Sequence, residues 1–80
     1  MKTIYIKYLD SCLRDGEHSI NHNYKCVIFE AVGFLVKEDD ESVTLARELN
    51  EIDGEKNTRG AITIPKVAIQ VRYEFERKTD

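Results

Sequence analysis

The sequence predicts a mainly β domain: a small five-stranded antiparallel barrel that assembles with copies of itself. Short β-branched and aromatic segments recur along the chain, separated by turn-forming residues, and residues 68–76 alternate between apolar and polar side chains. The chain has 80 residues, which allows a single domain, residues 1–80, with one small core. Oligomerisation often supplies the stability that so small a core lacks.

The first strand is predicted over residues 3–9, where Ile4, Ile6 and Tyr8 share one face. A long polar loop, residues 10–23, follows this strand. Long loops in small domains are often functional, so its edges are candidates for a site.

Residues 25–37 form a long apolar run that is too short to cross a membrane. A helix here would place Gly33 in its interior, at a cost of about 1 kcal/mol relative to alanine. A strand bent at Gly33 fits the run better, because small barrels need such kinks. The acidic residues 38–41 then form a solvated turn.

Residues 42–52 fit either a strand or one face of a helix, and the preceding hairpin turn favours a strand. A polar loop is predicted over residues 52–57, followed by a short strand over residues 60–64. Pro65 lacks a backbone donor and should end that strand, with one 3₁₀ turn after it.

The last strand is the clearest in the chain. Its alternation predicts a half-buried strand, with the polar side chains on the opposite face. The apolar residues of the pattern are Ile69, Val71, Tyr73 and Phe75. Residues 77–80 are a polar tail.

Five strands with a 3₁₀ turn before the last are the layout of SH3-like and Sm-like barrels. Residues 33–39, GFLVKED, resemble the first Sm motif, and the Arg59-Gly60 pair resembles the Arg-Gly of the second. The Sm family places an Asn soon after the Asp of its first motif, in a pocket that reads a base. This chain has Ser, Val and Thr at residues 42–44 instead, so the resemblance implies the fold without that RNA pocket.

The whole chain is also similar to a group of small bacteriophage proteins of Sm-like fold. The resemblance rests on residues 8–11 (YLDS), residues 32–34 (VGF), the acidic hairpin and residues 64–66 (IPK). Sm-like relatives assemble into rings, and some small oligomeric phage proteins sequester nucleotide immune signals. The resemblance therefore implies a homo-oligomer of phage origin that acts as an anti-defence sponge.

Composition narrows the class of partner. The formal net charge is −3, the charged fraction 34% and the hydrophobic fraction 41%. This composition predicts a folded chain and argues against general binding to the DNA backbone, which needs a basic face. No signal-peptide core and no membrane span is apparent, so a cytoplasmic location is predicted, in the bacterial host if the protein is phage-encoded.

One short stretch contains all the cysteines and histidines of the chain, and these are the ligand types that zinc prefers. They are Cys12, His18, His22 and Cys26. The stretch has no close Cys-x-x-Cys pair, so reduced thiols beside two surface histidines are predicted rather than a zinc site or a disulfide. The acidic turn likewise lacks calcium-loop spacing, and no cofactor is expected.

The candidate ligand-binding residues lie at the ends of strands. Arg59 and Lys66 flank the fourth strand, where they suit a phosphate or a base, although both also fit ordinary surface charges. Tyr8 suits stacking on a base, a subunit interface or the core. Asp10 suits a base edge or, together with Ser11, a turn cap.

These residues predict a non-enzymatic binding protein, because no nucleophile–base pair or phosphate-cradling glycine loop is present. Its partners are copies of itself and a nucleotide-type ligand, either a small signal or short RNA, held where subunits meet. The alternative is an SH3-like protein–protein interaction or assembly module that binds no small ligand.

Overall fold

The computed structural model describes residues 1–10, 17, 20–21 and 26–76. One sheet contains all the described strands, and every pair of neighbours in it is antiparallel. The strands are β1 (Lys2–Asp10), β2 (Val27–Glu38), β3 (Ser42–Ile52), β4 (Glu55–Pro65) and β5 (Ile69–Glu76). A 3₁₀ turn, Lys66–Ala68, joins β4 to β5. The predicted mainly β domain of five antiparallel strands is confirmed.

The predicted barrel is not closed. The strand order is β4-β3-β2-β1-β5, which makes β4 and β5 the two edges of the sheet. Closure would need a ladder between these edges, and the described residues contain none. Among the described strands, the β3–β4 hairpin has no ladder with β2 beyond Ala46 and continues alone to its turn.

Gly33 lies next to the point where β2 begins to pair with β3. β2 pairs with β1 from Val27 onward, but with β3 only from Phe34 onward. A Cβ atom on Gly33 would lie 2.8 Å from the carbonyl oxygen of Ala46, which is closer than real Cβ atoms approach. The strands can therefore meet here only because this position has no side chain.

The β3–β4 hairpin is longer than the sequence predicts. Residues 42–52 form a strand throughout, which settles the choice between strand and helix. Asp53 and Gly54 have positive φ values of 53° and 78°, as a two-residue type I′ turn requires. Because the turn is so tight, β4 begins at Glu55, and the predicted loop over residues 52–57 is wrong.

The core occupies only part of the sheet. Its side chains come from the middle of β1, the first half of β3 and the end of β4: Ile4, Ile6, Tyr8, Val43, Leu45 and Ile64. Ala31, Leu35 and Ile69 pack against them. Beyond residue 46 the β3–β4 hairpin continues as a two-stranded ribbon, the distal ribbon (residues 47–59), whose Leu49 and Ile52 are exposed.

β5 presents most of its apolar side chains on the face away from the core. Tyr73 is opposite Tyr5 and Phe75 is opposite Thr3, whereas Arg72 is opposite the buried Ile6. A bulge in the β1–β5 ladder returns Ile69 to the core side. The predicted alternation is therefore present, but the half-buried apolar face it suggested is largely exposed, because the register with β1 places it outside.

Candidate functional site

An exposed apolar area on the outer face of the sheet is the most prominent surface feature. We call it the outer patch and define it by Tyr5, Val32, Phe34, Tyr73 and Phe75. Register places these side chains in two adjacent rows across β2, β1 and β5. Val32, Tyr73 and Phe75 are 63%, 59% and 55% exposed.

Aromatic contacts and a hydrogen bond organise the middle of the outer patch. The rings of Tyr5 and Tyr73 are tilted by 31° with centroids 5.8 Å apart, a favourable separation for an aromatic pair. The Tyr5 hydroxyl donates to the carboxylate of Glu30, and this bond raises the pKa of Tyr5 above its usual value. The patch is thus a preformed surface whose tyrosine is held in one orientation.

Both edge strands of the sheet, β5 within the outer patch and β4 at the far side of β3, have one unpaired edge in the described part of the chain. β5 pairs only with β1, and β4 only with β3, among the described residues. Open edges carry unpaired backbone donors and acceptors, which can pair with a strand of another chain. An exposed apolar face together with free edges is the combination expected of a protein that associates with other chains.

An ion-pair network on the core side of the sheet joins β5 to the β2–β3 turn. Arg72 donates from Nη1 and Nη2 to the two carboxylate oxygens of Glu38, both at 2.9 Å. Lys66 Nζ lies 2.9 Å from Glu38 Oε2, and Arg72 Nη2 also donates to Glu74 at 2.6 Å. Lys2 completes the network at 3.5 Å from Glu74.

These contacts shift the ionisation of their members. The Arg72 hydrogen bonds, followed by that of Lys66, lower the pKa of Glu38 from 4.5 to about 2. The same carboxylate raises the pKa of Arg72, and Arg72 lowers the pKa of Glu74. The network is therefore charged at neutral pH. Its contacts between Glu38 and Arg72 join β2 to β5, two strands that no backbone ladder connects among the described residues.

The two basic residues predicted to bind ligand lie far apart. Arg59 is on the distal ribbon and pairs with Glu48 through Nε at 3.2 Å and Nη2 at 2.9 Å. Lys66 follows the opposite end of β4 and belongs to the ion-pair network. Seven residue-to-residue steps of extended chain separate them, which corresponds to roughly 23 Å. A ligand of nucleotide size would not reach both within one subunit.

Of the remaining predicted ligand residues, Tyr8 and Asp10 both lie on β1. Tyr8 is only 8% exposed and stacks on Phe29 at 5.9 Å, so its ring belongs to the core. Asp10 is exposed at the end of β1. Ser11 lies outside the described residues.

The alternative zinc set falls mostly outside the described part of the chain. Cys12, His18 and His22 are not described, and Cys26 is an exposed free thiol. Within residues 1–10, 17, 20–21 and 26–76, no three His, Cys, Asp or Glu side chains are grouped to hold a metal ion.

Asp39 has a structural role in the acidic turn. Its Oδ1 accepts from the backbone N–H groups of Glu41 at 2.9 Å and Ser42 at 2.8 Å. These two bonds lower the pKa of Asp39. The Asp that resembles the Sm motif thus closes the hairpin, as an Asx turn does.

Sequence reasoning missed the outer patch. The alternation of residues 69–75 marked the side chains that form half of it, but alternation does not say which face of a sheet is covered. The open edges depend on how far the β3–β4 hairpin extends. Neither feature has a local sequence signature.

Comparison with known proteins provides no identification. No family model matches the chain, and searches of curated proteins and of solved structures also found no match. Among the described residues, no helix is long and apolar enough to cross a membrane.

Proposed function

We propose that this protein is a non-enzymatic binding protein that functions as a small homo-oligomer and holds a nucleotide-type ligand. The outer patch carries the proposal, because three large apolar side chains lie more than half exposed on one sheet face. Apolar areas of this kind on small soluble domains mark interaction sites. A second copy offers the same patch, so pairing buries both at once.

The marginal core supports the same conclusion. Seven hydrophobic residues among those described are buried, and all of them lie outside the distal ribbon. Thirteen large hydrophobic residues are exposed among the described residues. Association would add the apolar burial that a domain of this size obtains only in part from its own fold.

The nucleotide-type ligand, the Sm-like barrel relationship, the phage origin and the role as a sponge in the host cytoplasm rest on the sequence resemblance. The five-stranded antiparallel sheet is consistent with an SH3-like barrel. The net charge of −3 favours a small ligand over long RNA or DNA. Arg59 and Lys66 remain candidate ligand residues only if different subunits bring them together.

A single experiment tests self-association. Native mass spectrometry of the purified protein should give a multiple of the 9.3 kDa chain mass. The double variant Tyr73→Ser/Phe75→Ser should shift toward monomer. Val67→Ser is the matched control, since Val67 is 97% exposed but lies in the 3₁₀ turn, outside the patch.

Two results would remove the proposal. A wild-type protein that is strictly monomeric at micromolar concentration contradicts homo-oligomerisation. If that monomer also retains no cyclic dinucleotide, ADP-ribose or short oligoribonucleotide, the ligand-binding function falls as well.

The outer patch also favours a second function, an SH3-like interaction or assembly module without a small ligand. The same apolar side chains would then contact a different protein. A monomeric chain that binds no nucleotide, and whose patch variants lose a host protein that the wild type retains, would support this alternative.

A further inference from the structure

The unpaired edge of β5 has a side-chain pattern that is complementary to itself. β5 pairs with β1 along one edge, and its other edge has no partner among the described residues. Val71, Tyr73 and Phe75 lie on the outer face of the sheet, whereas Arg72 and Glu74 lie on the core side. If this strand pairs antiparallel with its own copy about a two-fold axis, directly opposite residues lie on the same face.

The bulge in the β1–β5 ladder limits how such a pair can align. Lys7 is opposite Val71 and Tyr8 is opposite Ile69, so the regular part of β5 is residues 71–76. A symmetric alignment places one residue opposite its own copy, because neighbouring residues lie on different faces. Centred on residue 73 it pairs residues 71–75, and centred on residue 74 it pairs residues 72–76. Every other symmetric alignment within the regular part is shorter.

Charge distinguishes these two alignments. The alignment centred on Tyr73 places Arg72 opposite Glu74 of the second copy, twice by symmetry, and it places Val71 opposite Phe75. The alignment centred on Glu74 places two carboxylates directly opposite each other. Opposite charges at facing positions stabilise a strand pair and like charges destabilise it. The charges therefore select the alignment centred on Tyr73.

We propose that β5 pairs antiparallel with β5 of a second copy, centred on Tyr73, so that two subunits form one continuous sheet. The inference rests on the self-association in the proposed function and specifies where the subunits meet. β4, the other edge strand, is less suited, because Gly60 leaves the extended conformation at φ 68°.

Edge pairing is compatible with burial of the outer patch, since pairing uses the edge of β5 and burial uses its face. Val32, Tyr5 and Tyr73 lie in one row across the sheet. Pairing at Tyr73 joins this row to the same row of the second copy. The continuous sheet therefore presents twice the apolar surface to any further subunit.

Disulfide trapping tests the alignment in full-length chains that carry Cys12→Ser and Cys26→Ser, which removes the two native thiols. Tyr73→Cys should form a disulfide-linked dimer under mild oxidation. Opposite Cα atoms of an antiparallel pair are about 4.5–5.5 Å apart, within the range of about 4.4–6.8 Å for disulfides. Val71→Cys is the matched control, because its two copies would be offset by about 13 Å along the strands. It should form no dimer alone, but a mixed disulfide with Phe75→Cys.

A second measurement uses the unaltered protein, because replacing Tyr73 also removes part of the outer patch. A mixture of ¹³C-labelled and unlabelled chains should give intermolecular NOEs between Val71 and Phe75. Equal trapping of Val71→Cys and Tyr73→Cys would overturn the alignment.

The absence of both the Tyr73→Cys disulfide and the intermolecular NOEs would overturn edge pairing. The native mass of the wild type then separates the two conclusions. An oligomeric mass leaves the proposed self-association standing with a different contact, whereas a monomeric mass removes both.

Discussion

Replacing Glu38 by Gln tests whether the ion-pair network stabilises the folded sheet. The substitution keeps the shape of the side chain but removes the charge that receives two Arg72 hydrogen bonds and one Lys66 contact. Charge-assisted hydrogen bonds contribute about 1.5–3 kcal/mol when buried, and exposed ion pairs about 0–1 kcal/mol. Glu38 and Arg72 are 28% and 24% exposed, so we expect a loss of about 1–2 kcal/mol at neutral pH.

The pKa of Glu38 determines the pH range in which the network stabilises the folded state. The pKa of Glu38 is about 2 in the folded protein and 4.5 ordinarily, so the folded state favours the ionised carboxylate. Its contribution is complete above about pH 5 and is lost as the pH falls through 4.5 toward 2. The stability difference between wild type and Glu38→Gln should therefore shrink across that window.

Urea unfolding followed by circular dichroism measures this difference at pH 7, 5 and 3. All samples must have the same protein concentration, because association contributes to apparent stability. Glu41→Gln is the matched control: it lies in the same hairpin turn, and its side chain has no hydrogen bond or ion pair with another described residue. Equal stability of Glu38→Gln and wild type at pH 7, or a difference that does not change down to pH 3, would refute the role assigned to the network.

Four further substitutions test the fold. Gly33→Ala should destabilise the protein by about 2 kcal/mol in urea, because its Cβ would meet the Ala46 carbonyl at 2.8 Å; an unchanged midpoint would mean that the strands separate freely. Leu45→Ala should lower the free energy of unfolding by about 3 kcal/mol, because Leu45 is buried. Ile52→Ala should lower it by less than about 1 kcal/mol, because Ile52 is 59% exposed; similar losses would contradict a core confined to the sheet outside the distal ribbon. Asp39→Asn should lower the melting temperature at pH 7 by less than Glu38→Gln, and a larger fall would contradict its local role.

The sequence was sufficient for elements that depend on neighbouring residues. β-branched alternation, the acidic turn and Pro65 predicted strands and a 3₁₀ turn that the structure confirms. Gly33 was identified from its place in an apolar run, and its close approach to Ala46 explains why no side chain fits there. The Asp53-Gly54 pair was recognised as a turn signal, but its flanks were taken for a loop because they are polar.

The candidate site was less predictable, since it depends on contacts between distant segments. Tyr8 was weighed as a ligand residue and as core, and its burial among the core side chains places it in the core. Arg59 and Lys66 are close in sequence, yet an extended strand keeps them apart. Phe34 and Lys56 border one groove beside the distal ribbon although 21 residues lie between them in the sequence, and no local pattern in the sequence links them.

What the sequence by itself determined is the kind of local structure: strands, tight turns and one small mainly β domain, because backbone preference and side-chain alternation act over a few residues. Only the tertiary structure decided which face of β5 meets the core, that β4 and β5 remain open edges, and where the groove lies. These features follow from strand register and hairpin length, and a shift of one residue in register exchanges the buried and exposed faces of a strand.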